Sequence, residues 1–225
     1  MSNENETRPG TPGKTAGGNN TTEKTGVTES STWFDLQPRY LVNAGVFTVI
    51  YILACWAVMV FSLLGPAASL VGIAISLLIG GPIIMLYLVR TPTIGAMTIM
   101  GLITGLLIGL AHAWPAIPIC LVAGLVADII AASGDFRSRG RNIIAYAVFS
   151  LWYISPYVKI FYDPEAYFAH MRAGKRSAQF VDQFQAIFTP TNLIFMEVGI
   201  FVVALLGGWL GTRMLSKHFA KAGLA

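Results

Sequence analysis

Residues 43–64 read NAGVFTVIYILACWAVMVFSLL, a run without a single charged side chain. A helix needs about 20 predominantly apolar residues to cross the hydrocarbon core of a bilayer. Inside lipid no water is present to satisfy backbone N–H and C=O groups, so such a run is helical. Reading outward from this stretch, similar runs recur at about 66–89, 93–113, 115–133, 142–159 and 192–215. The sequence therefore predicts an all-α membrane protein, a six-transmembrane-helix bundle over 43–217 with an external loop at 160–191. Residues 33–42 (with Trp33, Phe34 and Tyr40) form an interfacial lead-in, since amphipathic rings settle at the headgroup level. Residues 218–225 form a cytoplasmic C-terminal tail.

Composition agrees. The chain is 55% hydrophobic and 12% charged, about half the charge of a soluble domain, and its mean hydropathy is +0.64. Residues 1–32 are rich in Gly, Thr, Asn, Ser and Glu. They bury too little apolar surface to offset ordering entropy and read as a disordered tail. They also lack the apolar core of a cleavable signal peptide, which leaves the first span as the membrane signal. The net charge of +4 comes from basic residues at span ends and carries no nucleic-acid signature. Cys55 and Cys120 lie inside apolar runs and read as buried free thiols.

Lys and Arg in short loops orient a membrane protein. They gather at Arg39, at Arg90, at Arg137, Arg139 and Arg141, and at Arg213, Lys217 and Lys221, whereas the connections after spans 1 and 3 have none. The 160–191 connection holds Arg172, Lys175 and Arg176 with Asp163, Glu165 and Asp182, and longer loops obey the rule less strictly. Both termini are thereby expected in the cytoplasm. Span 2 contains Gly80-Gly81-Pro82, where a missing N–H is expected to kink or split the helix.

Three features bear on function. Small residues recur at four-residue steps, foremost Gly101, Gly105 and Gly109 in span 3. Such ridges let helices approach closely, either within the chain or against a partner. Two acids lie within the spans. Asp128 reads as a helix-end or ion-pair partner, with a proton site as the other reading; Glu197 lies at the level of Lys159 and forms a structural pair or lines an outward pocket. Acids at such depth are expensive to insert and need a reason. Thirdly, the outer side is aromatic. The candidate substrate-binding residues are His112, Trp114, Trp152, Tyr153, Tyr157, Lys159 and Glu197. The 160–191 loop adds Tyr167, Phe168, Phe180, Phe184 and Phe188, with helical spacing among the last three. It reads either as an interfacial helix on lipid or as a lid over a pocket.

No Gly-x-x-x-x-Gly-Lys phosphate loop, His-Glu-x-x-His motif or paired carboxylate motif is present, so no enzymatic activity, catalytic residue, metal site or cofactor is expected of this chain.

The chain resembles the substrate-binding S components of energy-coupling factor (ECF) transporters, in particular the MptD-type (Trep_Strep) group. The resemblance covers about 36–215. It is carried by Leu41-Val-Asn-Ala-Gly-Val-Phe-Thr-Val-Ile-Tyr51, by Gly124-Leu-Val-Ala-Asp-Ile-Ile130 leading to Gly134-Asp-Phe-Arg-Ser-Arg-Gly140, by the aromatic span 5 and by Asp163-Pro-Glu-Ala-Tyr167. It implies a multi-pass protein of a bacterial cell membrane that captures a small organic nutrient at its outer face. It also implies partners: a transmembrane coupling subunit and two cytoplasmic ATP-binding subunits. Many such components dock through an Ala-x-x-x-Ala pair in span 1; here Ala44, Ala54 and Ala57 do not make that spacing. The alternatives from the residues are a stand-alone proton-coupled secondary carrier and a non-transporting membrane scaffold.

Overall fold

The structure, a computed structural model, describes residues 38–111, 114–174 and 176–221; the proposed tail 1–32, most of the lead-in and His112 lie outside them. Five helices come first: α1 (Pro38–Ser62), α2 (Pro66–Arg90), α3 (Ala96–Ala111), α4 (Ala116–Ala132) and α5 (Arg139–Phe149). A 3-10 helix (Ser150–Tyr157) continues α5, followed by α6 (Lys159–Tyr162), α7 (Pro164–Ala173), α8 (Ala178–Ile187) and the long α9 (Pro190–Lys221). Pro38–Trp56 in α1, Pro66–Arg90 and Pro190–Ser216 in α9 are long and apolar enough to cross a membrane, and α3 and α4 are shorter apolar helices.

Several helices turn apolar side chains outward. Val42, Val46, Val49, Leu53, Trp56 and Val60 are exposed along α1, and Ile194, Phe195, Val198, Val202 and Leu206 along α9. In water a face of this size would be an aggregation liability; against lipid tails it is the expected surface.

Close packing is built from glycine. α2 lies against α9, and a β-carbon on Gly81 would collide with the backbone of Gly207, as one on Gly207 would with Leu77. α3 lies against α4 in the same manner, with Gly101 on the Cys120 carbonyl and Gly124 on that of Met97. α2 runs unbroken through Pro82, so the expected split does not occur. Backbone at Gly81 and Pro82 is covered by Gly211 of α9, and such cover is what lets a spanning helix tolerate proline.

Asp128 explains how α3 begins. Its carboxylate is fully buried and accepts from the backbone N–H groups of Gly95 (3.0 Å), Met97 (3.0 Å) and Thr98 (2.8 Å), and from Thr98 Oγ1 (2.6 Å). The first N–H groups of a helix have no partner within it and carry partial positive charge. Asp128 is thus a cap supplied from another helix, which realises the helix-end reading of this residue. Nearby, the α4–α5 turn holds Asp135 (φ 51°) and Phe136 (φ 56°) in the left-handed region. Asn142 Nδ2 donates to the Phe136 carbonyl at 2.9 Å and holds the turn closed.

These contacts define two ends. Phe47 of α1 meets Tyr87 of α2, Gly211 of α9 meets Pro82, and Asp128 of α4 meets the start of α3. One end therefore collects the starts of α1, α3 and α5 and the ends of α2, α4 and α9. Arg39, Arg90, Arg137, Arg139 and Arg141 lie toward it. The aromatic chemistry lies at the other.

Candidate functional site

At that second end the expected single helix over 142–159 changes character. α5 stops at Phe149 and the chain tightens into the 3-10 helix SLWYISPY, with Pro156 inside it. Proline has no N–H to give to an i−4 carbonyl, and the tighter winding brings Trp152 and Tyr153 into stacked contact, ring centroids 4.2 Å apart. Both are anchored to the bundle. Trp152 Nε1 donates to Tyr51 Oη at 3.0 Å. Tyr153 Oη bonds Ser76 Oγ of α2 and donates to Cys55 Sγ of α1 at 3.3 Å.

The 160–191 segment is folded over this floor, not an open loop. Asp163 caps α7 by accepting from Ala166 N–H at 3.1 Å, with Pro164 at the first helical position. Ser177 caps α8 by accepting from Phe180 N–H at 3.2 Å. These are ordinary helix-start signals. The two short helices hold down a second apolar cluster of Ile160, Phe168, Val181, Phe184, Phe188 and Leu193. Phe184 stacks on Phe188 (4.0 Å), Phe188 on Tyr157 (5.0 Å), and Tyr167 on Phe184 (6.4 Å).

Between floor and cover lies a cavity of about 520 Å³. Its body wall comes from Cys55 and Trp56 of α1, Ser69 and Ile73 of α2, and Ile108 and Ala111 of α3. Trp152, Tyr153, Pro156, Tyr157 and Lys159 form the floor; Tyr167, His170, Met171, Arg176, Phe180 and Phe184 form the cover. Ligand cavities of roughly 300–1,000 Å³ with mostly apolar walls and a few polar groups are the usual form of small-molecule sites. Burial raises the Tyr167 phenol to about 12, with the Arg176 charge pulling the other way, so the hydroxyl stays neutral at physiological pH. Arg176 itself lies over the Phe180 ring, 4.5 Å from its centroid.

Of the candidate residues, Trp152, Tyr153, Tyr157 and Lys159 share this cavity. Trp114 does not line it and is 75% exposed. Glu197 does not line it either, and the expected pair with Lys159 is not formed: both Glu197 carboxylate oxygens are buried without a hydrogen-bond partner in the structure. The ion pair among the described residues is Arg172–Asp182, at 3.8 Å and exposed. Gly101, Gly105 and Gly109, read as a ridge for packing within the chain or against a partner, face Cys120 and Ile117 of α4. The chain's own helix fills that ridge, because glycine allows the backbone contact that a short apolar helix pair uses in place of a hydrophobic drive. The cover residues His170 and Arg176 were missed as site residues. Their signal was the Ser177 cap beside the Phe180, Phe184 and Phe188 spacing, which turns the loop into helices.

Helices long and apolar enough to cross a bilayer, with apolar side chains on their outer faces, define an integral membrane protein. The chain belongs to a family of hypothetical bacterial integral membrane proteins (Trep_Strep), whose profile matches residues 39–221. Comparison with curated proteins and with solved structures finds no match.

Proposed function

We propose that the protein is the substrate-binding S component of an ECF-type, ATP-driven uptake transporter, and that it holds a small organic substrate in the cavity beneath α7 and α8. The observation that carries this reading is the covered aromatic cavity at the end of the bundle opposite Arg39, Arg90, Arg137, Arg139 and Arg141. Counting α1, α2, α3, α4, α5 with its 3-10 continuation, and α9 as crossings gives six. Since Lys and Arg mark the cytoplasmic side, the cavity then opens outward and both termini lie inside. A chain that binds but carries no phosphate-binding loop needs an energy source. Two cytoplasmic ATP-binding subunits and a transmembrane coupling subunit would supply it, toppling the loaded component to release substrate within.

The test is co-expression with a candidate coupling subunit and ATP-binding pair, followed by purification on the S component's tag and uptake in proteoliposomes. A stable complex and uptake that needs internal ATP are expected. Uptake by the chain alone under a pH gradient would establish a proton-coupled carrier instead. That second reading rests on Glu197, whose unpartnered buried carboxylate is the kind of group a proton relay uses.

A further inference from the structure

We infer that the cavity selects a planar organic anion, an aromatic or heterocyclic carboxylate or an acid of similar shape. This rests on the cavity being the binding site proposed above, and adds the sign of the charge. Lys159 stands on the floor and Arg176 and His170 on the cover, while no Asp or Glu of the described residues lines it. Neither Lys159 nor Arg176 is in an ion pair among the described residues.

Two of the carboxylates close along the chain are engaged elsewhere, and Glu165 and Glu197 do not line the cavity. Asp163 caps α7, and Asp182 faces Arg172. Tyr167 adds no negative charge, because its phenol is neutral. Two cations, the half-buried Lys159 and the exposed Arg176, therefore border a largely apolar space, where a charge interaction is stronger than in open water. An anion would pair with them; a cation would meet their repulsion, with only the aromatic faces to offset it.

Shape follows from the walls. Trp152 and Tyr153 present a stacked pair, and Tyr157 and Phe184 line the cavity as well, each stacked on the buried Phe188. Aromatic faces favour offset stacking with flat partners. Arg176 over Phe180 sets a planar guanidinium beside that space, the group best matched to a carboxylate. A flat ring lying against the floor, with its acid turned toward Lys159 and Arg176, uses all of these features.

The test uses the full chain in lipid nanodiscs, without transporter partners, and reads its tryptophan fluorescence, since Trp56 and Trp152 line the cavity. The probes are benzoate, nicotinate and 2-naphthoate, each against its neutral carboxamide, with empty nanodiscs correcting for partition into lipid. At least one carboxylate is expected to bind ten-fold or more tightly than its amide. Lys159→Gln and Arg176→Gln should each weaken that carboxylate about ten-fold and leave the amide within two-fold, whereas Lys159→Arg keeps the preference. Amides binding as well as acids, no binding by any acid, or equal weakening of both probes by either Gln variant would overturn the proposal. Because no ATPase is present, failure of complex assembly leaves this result standing, and the reverse also holds.

Discussion

Asp128 and Glu197 are both acids within apolar helices, and the fold treats them in opposite ways. Asp128 accepts four hydrogen bonds from the start of α3. Glu197 has two buried oxygens and no protein partner for either. One acid is a structural fastener at the tightly packed, arginine-marked end. The other lies along α9 toward the cavity end, where the packing is aromatic. A membrane acid is therefore not functional merely by depth; what matters is whether its lone pairs are already taken.

The sharpest way to break this comparison is Asp128→Ala. The change leaves three backbone N–H groups and the Thr98 hydroxyl at the start of α3 without this acceptor, and each buried donor left unsatisfied costs roughly 1–3 kcal/mol. A large fall in thermal unfolding midpoint, followed by near-ultraviolet circular dichroism in detergent, is expected. An unchanged midpoint would show that α3 needs no cap from α4. Next comes Gly81→Val, which forces a side chain into the Gly207 backbone. Overpacking costs about 1–3 kcal/mol, and the comparison variant Gly45→Ala, with open space around it, should be neutral or slightly stabilising. Equal effects would mean that the α2–α9 contact is not the close one described.

Glu197→Gln should move stability by less than about 1 kcal/mol, since a neutral isostere gives up no protein hydrogen bond. A loss as large as that of Asp128→Ala would place a partner on Glu197 and erase the contrast. Smallest of all is Asp182→Asn. The exposed pair with Arg172 is worth at most about 1 kcal/mol and commonly nothing measurable, and a midpoint shift that vanishes in high salt is the most it should show.

Much of this was legible in the sequence for physical reasons. Long uncharged runs have few alternatives to helices, and Asp163-Pro164 carries its own start signal. The partner of Asp128 was not legible, because it depends on α3 docking some thirty residues earlier in the chain. The turn of span 5 into a 3-10 helix was signalled only by Pro156, and a lone proline does not say how its neighbours rewind. The cavity was half visible. Trp152, Tyr153, Tyr157 and Lys159 come from one stretch and stayed together, whereas Arg176 and His170 reach it only once α7 and α8 fold back. Gly101, Gly105 and Gly109 illustrate the opposite limit: a small-residue ridge states that something packs there, but not whose helix it is.

The apolar part of α9 has a consequence for the surrounding lipid. Its 27 residues make a rod about 40 Å long at 1.5 Å per residue, against a hydrocarbon layer of about 30 Å. A rod too long for its slab leans or thickens the slab locally. α2 is pressed against α9 through bare backbone and α5 also packs on it, so the lean cannot be confined to one helix. Bilayer thickness thereby becomes a mechanical input to the whole bundle: thin and thick membranes should hold the same molecule at different inclinations, and the covered end would meet the water at a different angle in each.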